Sequence, residues 1–459
     1  MYYLVAGYKP AGSELLAGRY RVVSTAPAVV EDRAPHLPVE PGGPLPAAAR
    51  PYQRLNLFRW AVPEVHTCLT LPNAAEPCIL LERGPIGEDG RPWTTLPMAW
   101  SAAGPLRQLG WLIQVVRLWD PCLQEGVAGS LLDPANIGVL GWQACLFQLH
   151  LDSATPTLAE LGAAWLKCLP GLEPPLLEVV EALAAGLYPG AGVLLDALES
   201  LVACIPPSQR VKAHGDTHPG RRSNNEDCFA YEPGGGYAVV CDGMGGHDSG
   251  EVASQMALAS LRADLAVLTA QPLAPAEVRR GLDTAVRRAN QQILEENRRQ
   301  GRSQLRQMGT TVVACCLTGA LLHVAHVGDS RIYLVDRHHC EQITVDDDVA
   351  NLEVSLARTT TSLVSRLSGS GNLTQALGVV SMNALQVTVQ TFVLSEDCLV
   401  LLCTDGLCDG NLVERSWRSS LLPLVCGDLP SGGRSLIDLA LRELGHDNIT
   451  FVLLQYTVG

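Results

Sequence analysis

The sequence is poor in lysine, and this scarcity limits what the protein can bind. Its 459 residues include only Lys9, Lys167 and Lys212, and the formal net charge at pH 7 is -14. Binding to nucleic acid or to an anionic membrane surface requires clustered basic side chains. We therefore expect neither nucleic acid nor a membrane among the partners.

Long apolar runs are also missing. The sequence has no stretch of about 18 uncharged apolar residues, which is the length that a membrane-spanning helix requires. Its start, Met1 to Pro10, lacks the basic residues and the apolar stretch of a secretory signal. These two observations predict a cytoplasmic protein.

Paired cysteines of the CxxC type are absent, although the sequence contains 15 cysteines. Cys241, Cys315 and Cys403, among others, lie inside apolar runs. This placement is typical of small buried side chains that stay reduced in the cytosol. We expect neither zinc binding by cysteine nor disulfide bonds.

The length of the chain exceeds what a single hydrophobic core usually serves. Two prolines and several polar residues between Ile205 and Arg210 are typical of a domain boundary. We therefore predict an N-terminal domain at 1–204, a linker at 205–210 and a C-terminal domain at 211–459.

The N-terminal part has few strong patterns. The segment from Pro27 to Pro51 is rich in proline, glycine and alanine, which predicts an extended loop. Between Pro105 and Leu123 apolar residues recur at helical spacing, which predicts an amphipathic helix. The stretch from Gly84 to Gly90 is interpreted as a hairpin turn and not as a phosphate loop, because Glu88 and Asp89 would repel phosphate.

Three aspartates in the C-terminal part stand at the ends of short apolar runs that have the length of buried strands. Asp242 follows Tyr237 to Cys241, Asp405 follows Cys398 to Cys403 after one threonine, and Asp447 precedes Ile449 to Leu454. A single Asp-Gly after a strand is usually just a turn, but the recurrence favours a common site. Carboxylates without histidine or cysteine partners select Mg2+ or Mn2+ over zinc.

Six motifs occur in the order that is characteristic of one enzyme family. They are RSNNED from Arg222, DGMGG from Asp242, MGTTVV from Met308, HVGDSRIYLV from His326, LLCTDGL from Leu401 and GHDNIT from Gly445. With these motifs, residues 211–459 resemble the metal-dependent serine/threonine protein phosphatases of type 2C, in their bacterial form. The first two hundred residues lie outside the resemblance.

The resemblance implies an α+β fold, a four-layer αββα sandwich, for residues 211–459. Before this domain we expect a smaller mixed α+β domain. It also implies hydrolysis of phosphoserine and phosphothreonine in phosphorylated proteins, and hence a role in signal transduction. Two Mn2+ or Mg2+ ions per site would activate a water molecule, and a third ion would bind beside them.

The resemblance assigns roles to particular residues. The implied metal ligands are Asp242 as the bridge, Asp405 and Asp447 for the first ion, the carbonyl oxygen of Gly243 with Glu226 and Asp227 for the second, and Asp329 with Asp405 for the third. Arg222 stands where the family places its phosphate-binding arginine, so Arg222 and Asp242 are the expected catalytic residues. The alternative for Asp329 is a turn cap before Arg331.

Two features depart from the family pattern. Eukaryotic relatives place a proposed general-acid histidine where this chain has Met244, which leaves His247 as the nearby candidate or as an exposed bystander. The segment from Thr344 to Gly378 has three consecutive aspartates and then a Ser/Thr-rich, helix-like stretch in place of the usual short motif. Substrate choice therefore cannot be carried over from the family.

The stretch from Gly129 to Trp142 faintly resembles the catalytic loop of protein kinases. Pro134 and Asn136 are retained, but Leu131 stands where the catalytic aspartate would be, and leucine cannot accept a proton. No lysine occurs between Tyr20 and Gly104 to hold ATP phosphates. The N-terminal domain is thus either a degenerate kinase-like domain or an unrelated helical domain.

The function has two candidate interpretations. The first is an Mn2+/Mg2+-dependent protein phosphatase. The alternative is a weak or inactive phosphatase-like module that binds and regulates partners through its N-terminal domain. Retention of the complete acidic set favours the enzyme, because carboxylates that repel one another have no use in a scaffold.

Overall fold

The chain folds into two compact units. The computed structural model describes residues 1–12, 14–39, 45–71, 78–206, 209–245, 249–303, 306–364 and 366–458. Unit 1 comprises Met1–Leu201 and Val349–Asn372, and unit 2 comprises Val202–Asp348 and Leu373–Gly459. The division after residue 201 lies near the predicted linker, of which residues 207 and 208 are outside the described part. The sequence gives no sign that residues 349–372, here called the inserted segment, belong to unit 1.

Unit 1 contains a sheet, a small second sheet and several helices. Its strands are β1 (Tyr2–Ala6), β2 (Leu15–Leu16), β3 (Tyr20–Thr25), β4 (Ala28–Asp32), β5 (Glu64–Leu69), β6 (Cys78–Glu82), β7 (Thr94–Thr95), β8 (Ile137–Leu140) and β9 (Gln143–Leu146). Its helices are α1 (Arg50–Arg54), α2 (Leu96–Trp100), α3 (Pro105–Gln124), α4 (Leu158–Cys168), α5 (Pro174–Ala184) and α6 (Ala191–Cys204, which runs past the division). The inserted segment adds the short helices α9 (Val349–Ser355) and α10 (Thr361–Val364).

The larger sheet of unit 1 is antiparallel, in the order β2-β3-β4-β1-β6-β5. The loop predicted from Pro27 to Pro51 is therefore wrong for its first part, since Ala28–Asp32 forms a strand between β3 and β1. Val29 and Val30 are fully buried there, and this burial overrides the loop-like composition of the region. The predicted turn at Gly84–Gly90 is confirmed, because Ile86 pairs with Pro92 across it.

Unit 2 contains two sheets. Its strands are β10 (Gln209–His218), β11 (Asp227–Tyr231), β12 (Tyr237–Met244), β13 (Gly309–Thr310), β14 (Val312–Thr318), β15 (Leu321–Val327), β16 (Arg331–Val335), β17 (Cys340–Gln342), β18 (Thr388–Val393), β19 (Cys398–Cys403) and β20 (Ile449–Val458). Its helices are α7 (Ser249–Ala270), α8 (Pro275–Arg299), α11 (Asp405–Cys408), α12 (Leu412–Ser420) and α13 (Leu429–Glu443). One sheet has the order β10-β20-β19-β16-β17, and the other has the order β11-β12-β14-β15-β18 with β13 beside β12.

Each sheet of unit 2 has its own helical partners and its own core. Helices α7 and α8 pack against β12, β14 and β15 through residues such as Leu261, Leu282 and Val312. Helices α11 to α13 pack against β16, β19 and β20 through residues such as Trp417 and Phe451. The mixed α+β character of the predicted phosphatase domain is confirmed. Strand β12 of one sheet contacts β19 and β20 of the other, and each of these three strands has a predicted aspartate ligand within it or next to it.

Among the helices of the described residues, none combines the length and the apolar character needed to cross a bilayer.

Candidate active site

Two predicted ligands lie opposite each other on neighbouring strands. Asp227 begins β11 and is the register partner of Asp242 on β12. The main chain of Asp242 is fixed because its carbonyl oxygen accepts hydrogen bonds from Thr310 Oγ1 and Thr311 N, each at 2.8 Å. The strand pairing therefore places two carboxylates side by side on neighbouring strands of one sheet.

The second sheet contributes two predicted ligands, which lie next to the ends of β19 and β20. Asp405 begins α11 directly after β19, and Asp447 lies just before β20. Between them, the buried hydroxyl of Thr404 donates to Asp227 Oδ2 at 2.9 Å and accepts from Thr450 N at 3.1 Å. Thr404 therefore links a carboxylate of one sheet, that of Asp227, to strand β20 of the other sheet. Sequence reasoning missed Thr404, and its only signal was a hydroxyl immediately before Asp405.

The five carboxylates Asp227, Asp242, Asp329, Asp405 and Asp447, here called the acidic cluster, repel one another. Burial, followed by the charges of neighbouring aspartates, raises the pKa of Asp227 to about 7 and that of Asp242 well above its ordinary value. Burial and the charge of Asp405 raise the pKa of Asp329 to about 7. Burial, with the charges of Asp409 and Asp447, raises the pKa of Asp405 to about 6. The cluster carries more negative charge than its surroundings offset.

Two oxygen atoms in the cluster lack hydrogen-bond partners. Asp227 Oδ1 and Asp405 Oδ1 are both buried and unpaired in the described structure. A buried, unpaired carboxylate oxygen is costly unless a cation or donor satisfies it. These oxygens and the mutual repulsion fit a hard divalent cation, which prefers oxygen ligands.

In this arrangement the described acidic side chains nevertheless do not form a complete set of ligands for an ion. Within the described residues, no group of three or more His, Cys, Asp or Glu side chains is arranged to hold one. Arg222, the predicted phosphate-binding residue, pairs instead with Asp447, with Nη2 2.6 Å from Oδ2. Its Nε also donates to the carbonyl oxygen of His446 at 3.2 Å. The arginine thus forms an ion pair with Asp447, one of the expected metal ligands.

Asp329 lies in the turn between β15 and β16, and Asp347 stabilises this turn through hydrogen bonds to Gly328. Gly328, with φ at 105°, donates its N–H to Asp347 Oδ2 at 2.8 Å and accepts from Asp347 N at 2.9 Å. Among the charged neighbours of Asp329, Asp405 raises the pKa of Asp329 most. The structure thus brings Asp329 close to one member of the predicted third-ion pair.

Gly243 and Glu226 lie where α7 approaches β12. A Cβ atom on Gly243 would lie 2.2 Å from Gly250 O and 2.6 Å from Glu226 O, so only glycine fits. Gly243 N donates to Glu226 O at 3.2 Å. The close approach leaves the backbone of Gly243 beside that of Glu226.

Asn448 is a second residue that sequence reasoning missed. Its Oδ1 accepts from Glu226 N at 2.8 Å, and its Nδ2 donates to Pro219 O and Asn224 O at 3.0 and 2.9 Å. The buried amide therefore holds the turn that carries Arg222 and Glu226. The candidate general acid His247 lies outside the described residues, and Met244 before it is exposed.

The known proteins to which this chain is similar include serine/threonine phosphatases. A family model described as Protein phosphatase 2C matches residues 214–426. The serine/threonine phosphatase stp of Listeria monocytogenes is 32% identical over 253 residues, which cover 54% of this chain and 92% of that protein. The serine/threonine protein phosphatase PstP of Mycobacterium tuberculosis is 32% identical over 232 residues, which cover 50% of this chain but only 42% of that protein.

Solved structures of PstP were also found. A crystal structure of M. tuberculosis PstP/Ppp is 31% identical, with a TM-score of 0.47, and the match covers 54% of this chain and 98% of that one. A PstP catalytic domain in complex with two manganese ions has the same identity, a TM-score of 0.45, and coverage of 54% and 99%. The length and identity of the sequence match to the Listeria phosphatase show that this chain belongs to the protein phosphatase 2C family.

Proposed function

We propose that this chain hydrolyses phosphoserine and phosphothreonine in proteins. The observation that carries the proposal is the acidic cluster itself, where buried aspartates from two sheets raise one another's pKa values at the position of the family's motifs. A regulatory module without catalysis is not favoured by relatives that are serine/threonine phosphatases. The arrangement of α7 and α8 on one sheet and of α11 to α13 on the other supports the proposed four-layer αββα order.

The proposed cofactors are two Mn2+ or Mg2+ ions, with Asp329 and Asp405 available to a third. Asp242 would be the ligand common to both ions, with Asp405 and Asp447 on one side and Gly243 O, Glu226 and Asp227 on the other. Divalent cations bound there supply positive charge and lower the pKa of a coordinated water. The unpaired Oδ1 atoms of Asp227 and Asp405 support this assignment.

The protein's own residues have separate tasks in this proposal. Thr404 holds the orientation of Asp227 through its hydroxyl, and Thr310 and Thr311 hold the main chain of Asp242. Arg222 would bind the phosphate with its guanidinium group. Because Arg222 is exposed, its ion pair with Asp447 is weak, and the arginine can exchange this carboxylate for a phosphate.

The test is hydrolysis of p-nitrophenyl phosphate and of a phosphothreonine peptide by the full chain with Mn2+. We expect turnover that EDTA abolishes and that added Mn2+ restores. Turnover that persists in EDTA, or an absence of turnover in a folded protein with Mn2+, would contradict the proposal.

For residues 1–204 we propose a degenerate kinase-like domain that does not transfer phosphate. The amide of Asn136 is fully engaged, because Nδ2 donates to Ser130 O and Gln148 O and Oδ1 accepts from Gln148 N. This engagement, with Leu131 in the place of a base, supports a structural use of the loop. The full chain carrying Asp242→Asn, incubated with ATP, should not phosphorylate itself, and measurable self-phosphorylation would contradict this inference.

We further propose phosphorylated proteins as the partners and the cytoplasm as the site of action. The negative net charge supports partners that are neither nucleic acid nor membrane.

A further inference from the structure

The inserted segment is held by unit 1 through a set of specific hydrogen bonds. Asn56 Nδ2 donates to Asn351 Oδ1 at 3.2 Å, and the buried side chain of Gln53 donates its Nε2 to Thr359 O. Helices α9 and α10 thereby contact α1 and β5. The segment is thus part of the packed structure of unit 1.

The strongest part of this docking lies on the edge strand of the larger sheet. β5 is the last strand of that sheet, and its register shifts between Val65 and Thr67. Thr361 Oγ1 donates to Val65 O at 3.1 Å and also contacts the Glu82 carboxylate, while Ser362 Oγ donates to His66 O at 2.5 Å. Two neighbouring hydroxyls therefore satisfy carbonyl groups that an edge strand would otherwise leave open.

The two ends of the inserted segment are joined in unit 2. Asp348 pairs with Leu373 in an isolated bridge, and Asp347 O accepts from both Thr374 N, at 2.7 Å, and Thr374 Oγ1, at 2.9 Å. Asp347 also makes the two hydrogen bonds with Gly328 that fix the turn of Asp329. One residue thus connects the base of the segment to a member of the acidic cluster.

We propose that the docking of the inserted segment on the edge of β5 controls the phosphatase site, with Asp347 as the positioning residue that transmits the docked state to the Gly328–Asp329 turn. Unit 1 is then a built-in activator that keeps Asp329 in place. This inference rests on the proposed function, since it names the regulation of the same site.

The test compares two variants of the full chain that remove similar hydroxyls from the same segment. Thr361→Val with Ser362→Ala removes the contacts to β5 and Glu82. Ser355→Ala is the matched control, because Ser355 Oγ bonds only to Leu352 O within α9 among the contacts described. Each lost hydrogen bond should weaken the docked state about fivefold.

Two readouts are needed. Hydrogen exchange of the amides of residues 349–364, measured without metal, should become about fivefold or more faster in the double variant and remain unchanged in Ser355→Ala. With Mn2+, kcat for p-nitrophenyl phosphate should fall severalfold in the double variant while KM changes little. Asp347→Ala should lower kcat by a similar factor without faster exchange in α10, and adding it to the double variant should cause little further loss.

The outcomes separate the two proposals. Faster exchange with an unchanged kcat in an active enzyme would overturn the coupling and leave the proposed function standing, and so would unchanged exchange in the double variant. Additive losses from Asp347→Ala and the double variant would also overturn the coupling. A folded wild-type chain without Mn2+-dependent turnover would overturn both proposals. If the double variant does not fold, Asn351→Ala, which removes the contact from Asn56, replaces it with the same expectations.

Discussion

Individual carboxylates of the acidic cluster differ in how many partners they serve, so their substitutions should have different effects. Asp242→Asn should abolish turnover, by at least about a thousandfold, because the proposed bridging position serves both cations and an amide lacks the charge to balance them. Asp329→Ala should lower kcat and leave the affinity of the two tight sites nearly unchanged. Steady-state kinetics beside calorimetric titration with Mn2+ measures both effects.

Asp438→Asn is the control for these two variants, because Asp438 is exposed on α13 and outside the acidic cluster. It should match the wild type in both measurements. Loss of the tight sites in Asp329→Ala, or near wild-type turnover in Asp242→Asn, would show that the bridging and third-ion roles are assigned to the wrong residues.

Asn448→Ala should impair catalysis beyond its effect on stability. The variant loses three hydrogen bonds that hold the turn of Arg222 and Glu226, so KM for p-nitrophenyl phosphate should rise and kcat/KM should fall about tenfold or more. The unfolding free energy should also fall, by about 1–3 kcal/mol.

Gln455→Ala separates the two effects of Asn448→Ala. Gln455 is another buried amide on β20, and its Nε2 donates to Leu424 O and Gly427 O. Its loss should reduce the unfolding free energy by a similar amount and leave kcat/KM unchanged. Equal kinetic losses in both variants would mean that Asn448 acts only through stability.

The aspartates of the site could be found from sequence because each stands next to an apolar run whose strand character is local. Thr404 and Asn448 could not be found this way. Their importance comes from partners far away in the chain, Asp227 for Thr404 and the Pro219 to Glu226 turn for Asn448. A hydrogen bond between distant segments leaves no periodic pattern in the sequence. The roles of the aspartates as ligands remain predictions.

At the scale of elements, the packing of α7 against β12 depends on two glycines. A Cβ atom on Gly250 would lie 2.7 Å from the carbonyl carbon of Gly243 and 2.8 Å from Glu226 Cδ. Gly250→Ala should therefore push α7 away from β12, lower the unfolding free energy by about 1–3 kcal/mol and reduce turnover. Thermal unfolding and p-nitrophenyl phosphate kinetics test this.

Gly192→Ala is the matched control in another helix. No atom lies within 4 Å of the Cβ position of Gly192, near the start of α6, so alanine should stabilise the protein slightly through its better helix propensity. A Gly250→Ala variant that is equally stabilised and fully active would contradict the close packing described here.

Elements whose apolar residues recur at a regular spacing could be predicted, and elements of mixed composition could not. Helix α3, Pro105–Gln124, was predicted almost to its observed bounds because apolar residues recur at helical spacing between Pro105 and Leu123. Strand β10 was missed because Gln209–His218 is polar and half-exposed, and its strand character comes from pairing with β20. Strand β4 was hidden in a segment whose prolines and alanines suggest a loop.

At the scale of the whole molecule, the acidic cluster should make stability depend on pH when metal is absent. The folded-state pKa values of Asp227, Asp329 and Asp405 are raised to about 7, 7 and 6, so the folded chain holds protons that the unfolded chain releases at lower pH. The corresponding stability is present at low pH and is lost as the pH rises through 6 to 7. In EDTA, Tm should fall by roughly 5 °C or more between pH 5 and pH 8.

Two comparisons identify the cause of this pH dependence. Mn2+ should raise Tm most at pH 8, where the carboxylates are ionised, and Asp227→Asn should flatten the profile measured in EDTA. A profile that is the same in Asp227→Asn and in the wild type would show that other groups cause the dependence.

The two prolines and polar residues after Ile205 predicted a boundary close to the division after residue 201, but they could not predict the membership of residues 349–372. A helix-like stretch was predicted after the three aspartates, and the structure has two short helices there, α9 and α10. Its attachment to unit 1 depends on hydroxyl contacts with β5. Composition can indicate where a domain boundary lies, but it does not show against which folded unit a polar helix packs.

The inserted segment also restricts how such a protein can be taken apart or assembled in evolution. The chain passes between the units three times, after residues 201, 348 and 372. A protease that cuts only between α6 and β10 should leave both units joined by two remaining chain connections, so the pieces should separate only after denaturation. For the same reason, an end-to-end gene fusion would account for residues 1–201 of unit 1 but not for residues 349–372, which lie within the phosphatase part of the chain.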